Sequence, residues 1–340
     1  MSSRLALAVA AGVVATLLYG GQFVISRWSI QRTLSMWDLA ALRFATAGLL
    51  LLPVVLRHGV GGAAGIGWGR AVALAIAAGA PYTQIQYGGL ALAPAADGAV
   101  LITGATPVIS AALVWLWFGE RPWPARLAGL GLIVAGLVMV GWPGLSGGAG
   151  EWTWLGDLLF AVDAVLWGLY TVLARRWQVD PLRATAMVWT LALAYLPIYF
   201  AFAGPRLLAA PRGEVLFQAL YQGVGVAIVA LALYSWAIRV LGASVASLFM
   251  PLVPVFGTLL AIPVLGERPA GVQLVGILAV SVGMAAAAAG PRRPPPRPNG
   301  RMEPGVMRSS MMKSRPSIHP SSRRWSLKSW ADGGRGGGPE

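Results

Sequence analysis

Cysteine is absent from the 340-residue chain, and lysine does not occur before residue 313. The first absence excludes disulfides, thiolate metal sites and cysteine nucleophiles. The second removes the Gly-Lys-[Ser/Thr] element of a phosphate-cradling Walker loop from residues 1–290 and argues against direct ATP hydrolysis. Histidine is scarce as well. His58 and His319 both lie outside the apolar runs, so neither a histidine-based metal centre nor a catalytic triad is expected, and no metal or cofactor site. Charged residues make up 11% of the chain, against about 25% in soluble domains. Hydrophobic residues make up 57%, and mean hydropathy is +0.68. So little charge cannot cover a large soluble core, because its surface must still meet water. The solvent of this chain is mostly lipid.

The net charge of +14 could point to nucleic acid. Its distribution argues otherwise. Residues 291–340 carry 11 Lys+Arg and 3 Asp+Glu, whereas residues 1–290 carry 15 and 9. The long body is not a basic surface and holds no recognition patch, so no nucleic-acid partner is expected. Residues 291–340, rich in Pro, Arg, Ser and Gly, cannot build a core and are expected to be a disordered basic cytoplasmic tail.

What the chain does have is long apolar runs. Ten segments are long enough to cross about 30 Å of hydrocarbon, at approximately 5–26, 36–56, 70–92, 97–118, 124–142, 152–174, 183–203, 215–238, 242–265 and 270–289. The runs are continuous rather than alternating, which favours helices over a β-barrel. The expected class is therefore an all-α integral membrane protein of ten transmembrane helices. Arg4 precedes an apolar run to about Ile25. That run exceeds the roughly 7–15 residues of a signal-peptide core, so it is expected to remain as the first span. Arginines concentrate on one side of the expected spans. Arg4, Arg57, Arg70, Arg121, Arg126, Arg175, Arg176, Arg183, Arg239 and the arginines after the last span face Arg27, Arg32, Arg206, Arg212 and Arg268. The positive-inside rule then places both termini in the cytoplasm. The Arg, Ala and Gly abundance fits a high-GC bacterium, hence an inner cell membrane.

An internal repeat is visible. A shift of 147 lays residues 104–139 on 251–286 with ten identities. They include Pro107 and Pro254, the run Gly-Glu-Arg-Pro at 119–122 and 266–269, Gly129 and Gly276, and Gly136 and Gly283. The chain divides into a first repeat at 1–143, a second at 150–290 and the tail. Five spans per copy is an odd number, so the two copies must be inverted in the membrane, as in many secondary transporters.

Several stretches resemble the EamA branch of the drug/metabolite transporter superfamily, over about residues 5–288. Tyr19-Gly20-Gly21-Gln22-Phe23-Val24 resembles the family's Trp-Gly-x-x-Phe start. The stretches at 39–53 and 89–122, the latter closing on Gly-Glu-Arg, resemble its second span and its third-to-fourth span region; 156–176 and 251–269 repeat the theme. The resemblance implies a ten-helix transporter of small polar or amphipathic metabolites. The chain departs from the pattern at Tyr19, at Gln22 and at Asp163, where the family usually has a small neutral residue.

Asp163 is the sharpest candidate. It lies about 16 Å into its span at 1.5 Å per residue, where a carboxylate costs roughly 2.5–3.5 kcal/mol on insertion scales and should face a cavity or a partner. Trp167 and Tyr170 follow at i+4 and i+7 on the same helical face. An acid beside two rings suits a cationic or amphipathic solute, or a proton relay; pairing with Arg43 or backbone capping is the structural alternative. Arg43 could snorkel, pair with Asp163 or hold a substrate carboxylate. Gln84 and Tyr87 share a face, Tyr87 has Tyr234 as its repeat counterpart, and the two tyrosines are expected to line opposite mouths. Gln22 is a further intramembrane amide, substrate-facing or bonded between helices. Pro81 is expected to interrupt the third span. Glu120 and Glu267, each followed by arginine, are read as local capping or as a gate that breaks alternately. The glycine stripes at 129, 136, 276 and 283 allow close helix approach, and a homodimer seam is one use for them.

The expectation is a secondary transporter, an exporter of small metabolites working by alternating access, with a small-molecule substrate, the bilayer and a second copy as partners and with no enzymatic activity. The alternative is a membrane-embedded lipid-handling enzyme or flippase-like protein, which would need polar catalytic groups gathered at one interface.

Overall fold

The computed structural model describes residues 3–147, 150–202 and 206–288. The tail at 291–340, and with it the expectation of disorder there, lies outside the described residues. Among the described residues the structure is helical throughout, without a strand. The helices are α1 Ser3–Ile30, α2 Met36–His58, α3 Trp68–Ala78, α4 Ala80–Leu92, α5 Ala95–Phe118, α6 Pro124–Leu145 and α7 Thr153–Arg176. They continue with α8 Pro181–Ala192, α9 Tyr195–Phe202, α10 Arg212–Gln218, α11 Leu231–Leu241, α12 Ala243–Ala246, α13 Leu252–Leu265 and α14 Gly271–Ala288. A π-helical stretch, Ala219–Ala230, joins α10 to α11.

Nine stretches of the described residues are long and apolar enough to cross a membrane. The expected third span, 70–92, is not one of them. It forms as α3 and α4, broken at Gly79 (φ −101°, ψ −129°) rather than at Pro81, which sits in the first turn of α4. Proline is tolerated there because its missing N–H is an orphan at a helix start. The pair still runs from one end of the bundle to the other: Arg70 lies over Trp177 at the near end, where α1 begins, and Leu90 receives a bond from Arg27 at the far end.

Local sequence explains the helix ends. Ser35 and Asp38 form a reciprocal capping box at the start of α2. The glycines of the two Gly-Glu-Arg-Pro runs close α5 and α13 in the left-handed conformation, Gly119 at φ 67° and Gly266 at φ 69°. Glycine accepts that backbone without strain, and the proline three residues on cannot continue the helix.

The glycine stripes meet each other inside the chain. A Cβ on Gly129 would lie 2.9 Å from the carbonyl oxygen of Gly283, and one on Gly136 would lie 2.6 Å from that of Gly276. The first stripe position of α6 therefore faces the second of α14, and the reverse. Antiparallel cross-pairing of repeat counterparts is what a two-fold axis lying between two inverted copies produces. The stripes are consumed by this α6–α14 seam and do not form an outer face for a second copy.

The copies also interrupt their helices in the same register. Gly79, where the first repeat breaks, corresponds under the shift of 147 to Val226, inside the π-helical stretch. Such interruptions free backbone groups and recur in transporter cores.

Candidate functional site

Two polar clusters are buried between the helices. The first centres on Arg43 of α2, which is 5% exposed and therefore does not snorkel. Its Nη1 donates to Gln22 Oε1 of α1 and to the Tyr87 hydroxyl of α4, both at 3.4 Å. Its guanidinium carbon lies 4.9 Å from the ring centre of Trp189 on α8, a cation–π arrangement. Arg43 Nε has no hydrogen-bond partner.

The second centres on Asp163 of α7, which is fully buried. Its Oδ2 accepts from Gln86 Nε2 at 3.4 Å, and its Oδ1 has no partner. Gln86 also donates to the Tyr82 hydroxyl at 3.2 Å. The Tyr82 ring lies 5.4 Å from Trp167, which stacks on Tyr170 at 5.1 Å. An aromatic shelf thus runs beside the carboxyl, and at Trp167 it reaches 36% exposure.

Arg43 and Asp163 act on each other electrostatically. Among the described residues no ion pair joins them. Their polar contacts at 3.4 Å are long against the usual 2.9–3.0 Å or so for N–H···O. The buried guanidinium and the buried carboxyl are thus loosely held and not bonded to each other. A buried pair with good geometry would instead close on itself.

The other expected residues are placed as follows. Tyr87 is fully buried and belongs to the Arg43 cluster, so it does not line a mouth. Its counterpart Tyr234 is half-buried and donates to the Ala246 carbonyl at 3.3 Å, toward the near end. Gln84 turns away from Tyr87 and bonds the Tyr195 hydroxyl, which in turn donates to the Trp37 carbonyl at 3.3 Å. Sequence reasoning missed Gln86, Tyr82 and Trp189. Gln84 and Gln86 lie on nearly opposite faces of α4 at 100° per residue, and an apolar run does not say which face is inside. The i, i+4 spacing of Tyr82 and Gln86 was the available signal.

Glu120 and Glu267 occupy unlike environments. Glu267 pairs with Arg27 at 3.2 Å, with side chains 12% and 14% exposed. Its two oxygens accept the Ala95 and Ala96 N–H groups at 2.7 and 3.1 Å, capping α5. Arg27 also donates to the carbonyls of Leu90, at 2.6 Å, and Ala93. Glu120 pairs with Arg175 at 3.5 Å, with side chains 43% and 58% exposed.

Buried ionisable groups inside an all-helical bundle, built from two inverted copies with broken helices, define a multi-pass membrane protein of transporter type. The chain matches the EamA-like transporter family twice, over residues 6–142 and 154–288, and belongs to that family. It is 27% identical over 256 residues to an uncharacterized transporter of Archaeoglobus fulgidus, covering 74% of this chain and 87% of that protein. It is 32% identical over 226 residues to an uncharacterized protein of Pseudomonas aeruginosa, covering 64% of this chain and 73% of that one. A solved crystal structure at 24% identity shares the fold with TM-score 0.53, over 83% of this chain and 96% of that one.

Proposed function

We propose that the chain is a secondary transporter that exports small polar or amphipathic metabolites across the cell membrane, with both termini cytoplasmic and the two repeats alternating around the buried clusters. The observation that carries this reading is the pair Arg43 and Asp163. Each is buried and each keeps a polar atom without a partner. Charges left so inside a membrane protein mark a solute or proton path by default. Gln22 and Tyr87 orient the guanidinium, Gln86 and Tyr82 orient the carboxyl, and the Trp167–Tyr170 shelf offers apolar area to the rest of a solute. Tyr234 is assigned to the near-end approach. Alternating access needs a drive, and a gradient of solute, proton or ion supplies it.

The test is flux in proteoliposomes, with solutes chosen by comparing metabolites of deletion and overexpressing cells. Asp163→Asn is expected to abolish flux while the protein still inserts and elutes as a monodisperse species. Flux equal to that of the parent protein would reject the role of Asp163.

A further inference from the structure

The duplicated sequence departs from its own symmetry where α5 turns into α6. Under the shift of 147, Trp117, Trp123 and Arg126 correspond to Val264, Ala270 and Gln273. Gln273 is spent inside the chain, where it donates to Asp97 at 3.0 Å and accepts from the Ala270 N–H at 2.9 Å. Arg126 is placed differently. Its guanidinium carbon lies 5.4 Å from the centre of the Trp123 ring. Arg126 Nε and Trp123 Nε1 are both buried atoms without a hydrogen-bond partner among the described residues. Buried donors are as a rule bonded, so two orphans in one turn call for an acceptor from outside the chain.

The end of α7 brings two more cations to the same place. The Arg176 guanidinium carbon lies 6.0 Å from the Trp117 ring centre and 5.8 Å from that of Phe118. Arg175 pairs with Glu120 at 3.5 Å and acts electrostatically on Arg126. Segments 117–126 and 174–177 together hold four arginines against one carboxylate, Glu120. That one ion pair is exposed, and exposed pairs hold weakly. Beside the cations, Leu116, Trp117 and Phe118 are exposed at the end of a membrane-spanning helix. Apolar side chains so placed meet acyl chains, and aromatic ones sit at headgroup level.

We infer that the α5–α6 turn and the end of α7 form a binding site for one anionic phospholipid, with its phosphate between the guanidinium groups of Arg126 and Arg175 and its acyl chains along Leu116, Trp117 and Phe118. The planar guanidinium fork matches phosphate oxygens, and basic pockets between transmembrane helices hold anionic headgroups. The start of α6 adds the positive end of its helix dipole. The inference goes beyond the transport reading and does not depend on it.

Native mass spectrometry of the full chain in detergent, titrated with dioleoylphosphatidylglycerol, reads the binding of single lipids. Dioleoylphosphatidylcholine is the neutral comparison and inorganic phosphate the competitor. The anionic lipid is expected to bind about tenfold tighter than the neutral one. Arg126→Gln and Arg175→Gln should each weaken it about tenfold, as for the loss of a charge-assisted hydrogen bond. Arg57→Gln, which removes the same charge from the exposed end of α2, should leave it unchanged. The 11 Lys+Arg of residues 291–340 are present in every variant, so only the difference between variants counts. Arg175 is exposed, and Arg175→Gln carries the test if Arg126→Gln does not fold. The site is overturned if both variants bind the anionic lipid as the parent does, or if Arg57→Gln weakens binding equally, which would mean a diffuse attraction. Displacement of the lipid by an equal concentration of inorganic phosphate would also overturn it, by making free phosphate the ligand. Flux is not read, so the outcome stands apart from that of the transport test.

Discussion

The α6–α14 seam and the ends of the bundle come from the same duplicated sequence and behave oppositely. In the seam, Gly129 meets Gly283 and Gly136 meets Gly276, so each copy does what the other does. At the ends, Glu267 is buried and capping while Glu120 is exposed. A seam in which backbones touch has one good arrangement, since close-packed surfaces deform little. A carboxylate at a loop has at least two, because it can bind N–H groups or lie in water beside an arginine. The symmetric part is the frame, and the asymmetric part is where two inverted copies can differ at little cost. An exposed pair such as Glu120–Arg175 contributes only about 0–1 kcal/mol.

Three pairs of substitutions test this division, beginning with the frame. Gly136→Leu drives a side chain into the Gly276 backbone, where even a Cβ would lie 2.6 Å from the carbonyl oxygen, whereas Gly131 has nothing within 4 Å. Gly136→Leu is expected to cost about 3 kcal/mol or more, and Gly131→Leu to stay within about 0.5 kcal/mol. Thermal unfolding in detergent decides this. Equal melting temperatures would mean the seam is not the frame.

A smaller effect is expected within the clusters. Gln86→Leu strips from the buried Asp163 carboxyl the only hydrogen-bond donor it has among the described residues. It is expected to cost about 1–3 kcal/mol and to impair flux, because an unsatisfied buried group carries its full desolvation penalty. Gln84→Leu, at a half-buried position bonded to Tyr195, should cost less and spare flux. A reversal of that order would place the working face of α4 on the Gln84 side.

The smallest effect concerns the repeat tyrosines. Tyr87→Phe takes one of two side-chain acceptors from Arg43, about 1 kcal/mol. Tyr234→Phe removes a bond to a carbonyl and should fall below it. Flux and melting temperature measured together check both; indistinguishable variants would show that the two tyrosines remain symmetric in function.

Much of the fold was legible in the chain. Apolar length, breakers and the duplicated Gly-Glu-Arg-Pro run led to a helical membrane bundle of two copies, and the glycine spacing led to close helix contact. Two physical facts limited the rest. Apolar periodicity is weak where both faces of a helix are apolar, one toward protein and one toward lipid, so α4 could not be oriented and Gln84 was preferred to Gln86. Partners distant in sequence also leave no local trace. Arg27 was counted for orientation alone, yet it joins Glu267 across 240 positions.

By itself, the sequence determined the medium, because residues this poor in charge can be solvated only by lipid. It also determined the duplication and the chemistry on offer: a carboxyl at Asp163 and a guanidinium at Arg43 deep within apolar runs, and no thiol. Only the tertiary structure decided that Arg43 and Asp163 are not bonded to each other, that the glycine stripes are spent within the chain, and that Glu267 rather than its repeat counterpart Glu120 is buried and caps a helix. Those outcomes depend on distances between helices, and they follow from how side chains of both copies fill a shared interior rather than from either copy alone.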